Sequence, residues 1–158
     1  MCIYPLNCAE EAVATIREDP SLFALFDFLG VGEDRAIHHF MWTAAGGFTP
    51  LENLGGSFAS VLSAAVTGGD RIDVVALGTS DTLQNRALTG TKRADGWEDL
   101  GAFADSAPLL VNATIKPAGV EEVALFVVGN GGEVNHTTRT VSSDLSWKNL
   151  GWTNLVGI

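Results

Sequence analysis

Short apolar stretches bounded by glycine recur along the chain, and their pattern predicts β-strands. In the clearest example, residues 71–77, polar and apolar positions alternate at first and then give way to a continuous apolar run. Such a run is typical of a strand that is buried on both faces. Further strands are predicted at about 63–67, 82–88 and 97–100, with glycine in the turns between them. This part of the chain therefore predicts a unit of four short strands.

The same unit occurs three times. Its first landmark is a Leu-Gly pair at positions 54–55, 100–101 and 150–151, preceded each time by one large apolar residue and two polar ones. Its second landmark is a glycine that closes an apolar run, at Gly30, Gly78 and Gly129, where we expect a turn. An apolar residue and two polar ones follow at 37–39, 83–85 and 134–136. The order holds in every copy if the first contains a two-residue insertion, so the sequence predicts three repeats.

The segment before the first apolar run permits two interpretations. Asn7 followed by Glu10 is similar to a helix capping box, and the residues after it have the composition of a helix. However, residues 14–16 lie sixteen positions before Gly30, as residues 113–115 lie sixteen before Gly129. This register favours a strand, because tertiary context often overrides helix propensity.

Four strands in 46–50 residues are the dimensions of a β-propeller blade. No helix of 10–15 residues recurs, which argues against a parallel αβ array. The predicted fold is all-β, a β-propeller built from four-stranded blades of about 46–50 residues, with three blades per chain. We expect the blades at 8–56, 57–101 and 102–151, with 152–158 as a C-terminal tail or the start of a closing strand.

At this point the residues carry a resemblance. The order W-x-x-L-G-G, S-x-P-x-V, R-I-D-V and G-T-x-x-x-L resembles the repeat of the bacterial and fungal propeller lectins typified by the Photorhabdus-type fucose-binding lectins. Here it is carried by residues 51–56, 71–74, 78–83 and 97–101, and residues 37–42 are similar to that family's L-Y-H-K-W-W strand. The second and third copies lack the tryptophans of that strand. The resemblance implies a ring of six or seven blades and fucose or a related sugar bound between adjacent blades.

Charge and composition narrow the choice of partners. With 19 acidic and 9 basic side chains the net charge is −10, which disfavours binding to nucleic acids and to anionic membrane surfaces. Hydrophobic residues make up 46% of the chain, which argues against disorder. No signal peptide or membrane span is evident, so we expect a soluble protein, either cytoplasmic or secreted without a recognisable signal peptide. Cys2 and Cys8 are expected to be free thiols or a small-loop disulfide.

A sugar pocket needs an apolar ring face for the sugar's C–H groups and a few hydrogen-bonding groups for its hydroxyls. The candidate ring platforms are Trp42, Trp97, Trp147 and Trp152. The candidate hydrogen-bonding residues are His39, Asn85, Arg86 and His136. The competing interpretation is that Trp97 and Trp147 pack the repeat core and that the polar residues cap strands or turns.

Nothing in the sequence predicts a catalytic centre, a metal site or a cofactor. The histidines and cysteines lack the spacing of zinc ligands, and no nucleophile or phosphate-binding motif is present. Acidic side chains are available, and we expect them to be solvated residues of the repeat; they are Glu33, Asp34, Asp70, Asp73, Glu121 and Glu122. Three functions therefore stay open, namely a lectin, a protein-interaction scaffold and, third, a propeller-fold enzyme.

Three blades leave two open faces. The first hypothesis is that two copies complete a six-bladed ring. The rival is that these residues are part of a longer propeller or pair with a second propeller segment. In either case the expected ligands are glycans or small neutral molecules.

Overall fold

The all-β prediction is confirmed. The structure, a computed structural model, describes residues 13–17, 25–67, 71–90, 92–93, 95–104, 106, 108–115, 120–140 and 151–156, and these contain strands and no helix. Trp147, Asp70, Cys2 and Cys8, which were singled out above, lie outside the described residues. Within them, no helix has the length and apolar character that a membrane crossing requires.

The strands form three antiparallel sheets, one for each predicted repeat. The first sheet contains β1 (Val13–Arg17), β2 (Leu25–Val31), β3 (Ile37–Thr43), β4 (Gly47–Phe48) and β5 (Glu52–Asn53). The second contains β6 (Phe58–Thr67), β7 (Arg71–Gly78), β8 (Thr82–Thr89), β9 (Lys92–Arg93) and β10 (Glu98–Phe103). The third contains β11 (Leu109–Ile115), β12 (Val120–Val128), β13 (Val134–Thr140) and β14 (Thr153–Val156).

In each sheet the strands follow one another as in a meander. The orders are β1-β2-β3, β6-β7-β8-β10 and β11-β12-β13-β14, with β4 and β5 both on β3 and β9 on β8. The strands predicted for the middle copy are all present. Strand β1 confirms that the segment around residues 14–16 is a strand, and β7 is buried along its whole length, as its continuous apolar run predicted.

The turn glycine of the first repeat was predicted wrongly. Gly30 lies inside β2, opposite His38 of β3. The residue that occupies the turn is Gly32, whose carbonyl accepts the amide of Arg35 at 2.9 Å; Gly78 and Gly129 accept the equivalent amides three residues on, at 3.1 and 2.9 Å. Counted from Gly32, the spacing to the next strand is the same in all three copies. The two-residue insertion is therefore not needed.

The outer strand of the third repeat also lies elsewhere than its sequence landmark indicated. Strand β14 pairs Thr153 with His136, which matches the pairing of Glu98 with Asn85 in the second sheet and of Glu52 with His39 in the first. The structural counterpart of Trp97 in the third repeat is consequently Trp152. The landmark at 147–151, chosen because it repeats the letters Trp and Leu-Gly, precedes this strand.

The sheets stack face to face around two apolar cores. The first core joins the first and second sheets and contains Leu29, Val31, Ile37, Leu54, Phe58, Leu62, Ile72, Val74, Ala76 and Leu88. The second joins the second and third sheets and contains Ala65, Val75, Leu77, Leu83, Ala104, Val123, Leu125 and Val127. Strand β6 contacts both β1 and β11, so the first strands of the three sheets lie next to one another. Each pair of adjacent sheets thus encloses a cleft.

Candidate functional site: the clefts between adjacent sheets

The cleft between the first and second sheets, called the first cleft below, is organised around one backbone carbonyl. The carbonyl of Leu54 accepts hydrogen bonds from the indole Nε1 of Trp97, at 3.0 Å, and from Nη1 of Arg86. The Trp97 ring also packs edge-on against Phe58, with 4.5 Å between the ring centroids. Arg86 and Trp97 are both half-buried. An indole and a guanidinium of the second sheet therefore meet at a loop of the first sheet.

A local turn presents this carbonyl. Asn53 Oδ1 accepts the amide of Gly55 at 2.7 Å, and Gly55 has a φ of 71°, a conformation that favours glycine. The second repeat contains the same device, because Asp99 Oδ1 accepts the amide of Gly101 at 2.7 Å and Gly101 has a φ of 67°. The Leu-Gly landmark in these two repeats is thus the requirement of a turn that exposes the leucine carbonyl.

The cleft between the second and third sheets, the second cleft, repeats this plan with different side chains. Trp152 Nε1 donates to the carbonyl of Leu100 at 3.2 Å, as Trp97 donates to Leu54. At the position of Phe58 stands Ala104, which is buried. At the position of Arg86 stands Thr137, also buried. The second cleft therefore has the indole but not the guanidinium or the second aromatic ring.

Each cleft also encloses an aspartate at the same position of its second strand. In the first cleft, Asp27 is fully buried and its Oδ1 lies 2.7 Å from Nε2 of the buried His39. Because a carboxylate only accepts hydrogen bonds, Nε2 is the donor in this pair. The other ring nitrogen of His39 lies 3.5 Å from Oε2 of Glu52. All three groups belong to the first sheet.

In the second cleft the aspartate is Asp73, which has no exposed surface. It accepts hydrogen bonds from Arg71 Nη2 at 2.6 Å and from Thr67 Oγ1 at 2.7 Å, and Nη2 of Arg139 in the third sheet approaches at 3.5 Å. The expectation that Asp73 is a solvated acid was therefore wrong. The sequence places it in a strand, but only the stacking of a third sheet encloses it.

Acidic Asp34 does lie in a turn, as expected, and has a defined partner there. Its Oδ1 lies 3.0 Å from Nε2 of the buried His38, and its Oδ2 accepts the amide of Asn53 at 3.3 Å. The hydrogen bond from His38 is the main reason that the pKa of Asp34 lies below its ordinary value. No group of three or more metal-ligating side chains is gathered within the part of the chain that the structure describes.

The residues predicted to bind a ligand fall in different places. The structure brings Arg86 and Trp97 together in the first cleft. Asn85 and His39 are 1% and 2% exposed, and Asn85 donates to the carbonyl of Val74 at 3.1 Å, so both side chains are enclosed in the protein.

The remaining predicted residues lie at the two ends of the stack or outside it. Trp42 lies on the outer face of the first sheet, where its ring is 5.6 Å from that of Phe26. His136 lies on the outer face of the third sheet, stacked on Phe126 at 5.8 Å. Trp147 lies outside the described residues.

Two parts of the first cleft were missed by the sequence. One is the Leu54 carbonyl, for which the signal was present as an Asn or Asp two residues before glycine. The other is Phe58, an aromatic residue at the start of a strand that carries no distinguishing pattern.

No protein-family profile matches the chain, and no curated protein matches it. Solved structures do share its fold. A fucose lectin from Kordia zhangzhouensis, in complex with methyl-fucoside, has a TM-score of 0.65 at 13% identity, over 90% of this chain and 96% of the lectin. AofleA from Arthrobotrys oligospora, as a triple arginine-to-alanine mutant, has a TM-score of 0.60 at 15% identity, over 95% of this chain and 43% of its own.

The Aleuria aurantia lectin, in complex with alpha-methyl-L-fucoside, has a TM-score of 0.53 at 13% identity, over 94% of this chain and 61% of the lectin. At these identities the likeness shows the fold. This chain spans about half the length of the last two proteins and nearly all of the first.

Proposed function

We propose that this protein is a carbohydrate-binding β-propeller of the Photorhabdus-type lectin family, and that it binds fucose or a related neutral sugar in the first cleft. The observation that carries the proposal is the convergence of Arg86 and Trp97 on the Leu54 carbonyl between two adjacent sheets. The likeness to lectins crystallised with fucosides supports it.

The chemistry of the first cleft suits a neutral sugar. The guanidinium of Arg86 presents a planar set of N–H donors, which suits vicinal hydroxyl groups. The indole of Trp97 offers an apolar surface for the C–H face of a sugar ring. The net charge of −10 disfavours polyanionic glycans as ligands.

The two clefts within one chain are unequal under this proposal. The second cleft has Thr137 in place of Arg86, and Thr137 is only 3% exposed. A buried hydroxyl does not replace a half-exposed guanidinium as a donor to a ligand. The first cleft is therefore the principal site, and each chain supplies one such site.

The proposed site is tested by titrating the chain with methyl-fucoside in a calorimeter and by probing a glycan array. We expect binding by the parent, and a loss of about tenfold or more in affinity for Arg86→Ala, because a hydrogen bond to a charged group contributes about 1.5–3 kcal/mol. Thr137→Ala, at the equivalent position of the second cleft, is the matched control and should bind like the parent.

Circular dichroism establishes that both variants are folded, since Arg86 also holds the Leu54 carbonyl. An array without fucose, galactose or methylated-sugar binding contradicts the proposal, as does an Arg86→Ala variant with the parent's affinity.

We further propose that the ring is completed by a second copy of the chain, which gives six sheets in total. Several weak sites on one ring gain avidity because the second binding event takes place at a high effective concentration. This gain favours multivalent glycan surfaces over free sugars as the natural ligands.

A further inference from the structure

The exposed apolar side chains are concentrated at the two ends of the stack of sheets. Among the described residues, the large hydrophobic side chains that are exposed are Phe48, Leu51, Leu109, Val128 and Leu155. The first two belong to the first repeat and the other three to the third. The second sheet, which has a neighbour on each side, contributes none of them.

The outer face of the third sheet is a repeat surface that lacks its cover. Leu155 is 47% exposed, whereas its counterpart Leu54 is 3% exposed beneath the second sheet. Val128 is 38% exposed, whereas its counterparts Val31 and Leu77 are 4% and 8% exposed. The same positions are thus buried wherever another sheet follows. We call this surface, formed by Ala124, Phe126, Val128, His136 and Leu155, the terminal face.

The outer face of the first sheet is a surface of five aromatic rings, Phe26, Phe28, Phe40, Trp42 and Phe48, here called the aromatic face. Phe28 and Phe40 stack at 4.8 Å, and Phe48 lies 5.8 Å from Phe40. Phe48 is 67% exposed. The equivalent positions of the second and third sheets face the sheet before them, as Val74 and Leu125 do.

From these two surfaces we infer that the terminal face of one copy of the chain covers the aromatic face of a second copy, in the same head-to-tail manner as the sheets within one chain. This inference rests on the proposed ring and names the surfaces that close it. A contact between two different faces, repeated around a ring, leaves neither face uncovered.

The side chains of the two faces complement each other in size and charge. In the second cleft, Arg139 reaches across to Asp73. At the junction between copies the counterpart of Arg139 is Trp42, and the counterpart of Asp73 is Ala124. The small alanine leaves room for the indole, and neither residue carries a charge that association would bury without a partner. A partner with a charged surface would not match either face as well.

The junction between copies differs from the first cleft in its chemistry. Phe40 stands at the position of Arg86, and Leu51 at the position of Trp97. The junction therefore lacks the guanidinium and the indole of the proposed sugar site. It is an adhesive surface, and the ring has one principal sugar site per chain.

The test is the mass of the 158-residue chain in solution, measured by light scattering and sedimentation at micromolar concentration. We expect twice the 16.6 kDa of a single chain. Leu155→Lys and Phe48→Lys each place a charge on one of the two faces, and each should give single chains. Both positions are exposed, so both variants should fold, and circular dichroism checks this. Ser80→Lys, in an exposed turn of the second sheet, is the matched control and should keep the parent's mass.

A parent of 16.6 kDa overturns the inference. So does an assembly that only one of the two variants dissociates, because this would mean that like faces pair with each other. A larger closed multiple that both variants dissociate supports the same surfaces. Sugar binding is read separately by titrating the single-chain variants with methyl-fucoside, since the first cleft lies within one chain. Absence of binding with the assembly intact counts against the sugar site alone.

Discussion

The two clefts of this chain have the same backbone plan and different contents. In both, a tryptophan of the later sheet donates its indole N–H to a leucine carbonyl of the earlier one. The first cleft adds Phe58 and Arg86, whereas the second has Ala104 and Thr137 at those positions. What is kept is the contact that satisfies a backbone carbonyl. What has diverged is the set of side chains able to meet a ligand, so equivalent clefts of one propeller need not be equivalent sites.

The buried aspartates extend this comparison. Asp27 is neutralised within its own sheet by His39, so the first cleft is joined mainly by apolar contacts. Asp73 is shared between Arg71 of its own sheet and Arg139 of the next one. The second cleft is therefore closed by an ionic contact between sheets that the first cleft lacks.

The largest expected effect comes from removing that ionic contact. Asp73→Ala leaves two buried guanidinium groups without their carboxylate, and we expect it to lower the free energy of unfolding by about 3–5 kcal/mol. Urea unfolding followed by tryptophan fluorescence measures the change. Asp95→Ala, which removes an exposed carboxylate, is the control and should stay within about 0.5 kcal/mol of the parent. Equal effects of the two substitutions would mean that Asp73 does not hold the second cleft together.

A smaller effect tests the shared indole contact. In the first cleft the Leu54 carbonyl has a second donor in Arg86, whereas in the second cleft the Leu100 carbonyl receives the Trp152 indole. We expect Trp152→Phe to lower the free energy of unfolding by about 1 kcal/mol through loss of this hydrogen bond. The matched Trp97→Phe should have a smaller effect, since an aromatic ring at position 97 still packs on Phe58. The reverse order in chemical denaturation would contradict the assignment of donors.

The smallest expected effect is an acid sensitivity that belongs to the first sheet. The pKa of Asp34 in the folded protein lies below its ordinary value of 3.8, mainly because of the hydrogen bond from His38. The stability that this pair contributes is therefore complete above pH 3.8 and is lost as the pH falls through the lower pKa of the folded state. The contribution is small and salt-dependent because the Asp34 carboxylate is half exposed.

Carboxyl chemical shifts measured by NMR during an acid titration report this pKa directly. The second sheet has Ser80 and Gln84 at the positions of Asp34 and His38, so it should show no counterpart. Asp34→Asn should remove the sensitivity, and an unchanged pH dependence in that variant would show that the effect arises elsewhere.

The sequence located the strands better than it located their exact repeat positions. The four strands of the middle copy, and the first strand against its helical composition, were found from hydrophobic pattern and spacing. Gly30 was mistaken for the turn glycine because it also ends an apolar stretch, whereas strand pairing assigns the turn to Gly32. The third outer strand was misplaced because the letters of its landmark occur twice within a few residues.

For the candidate site, the sequence named the pair that the structure brings together, Arg86 and Trp97, among several residues that the structure separates. Arg86, Asn85 and His39 looked alike as polar residues of one strand position or its neighbour. Successive residues of a strand point to opposite faces, so Arg86 reaches the first cleft while Asn85 is enclosed towards the third sheet. Which of these faces is exposed depends on the neighbouring sheets, and a single repeat does not contain that information.

By itself, the sequence determined the all-β class, the three repeats and their turn chemistry. These follow from contacts between residues close in the chain, namely alternation of apolar side chains, glycine in turns and an Asn or Asp two residues before a glycine. The tertiary structure alone decided which polar groups are enclosed, which carbonyls receive the indoles and which apolar faces stay open. Those outcomes depend on stacking between sheets whose partners lie about fifty residues apart, where no local pattern specifies which face meets which.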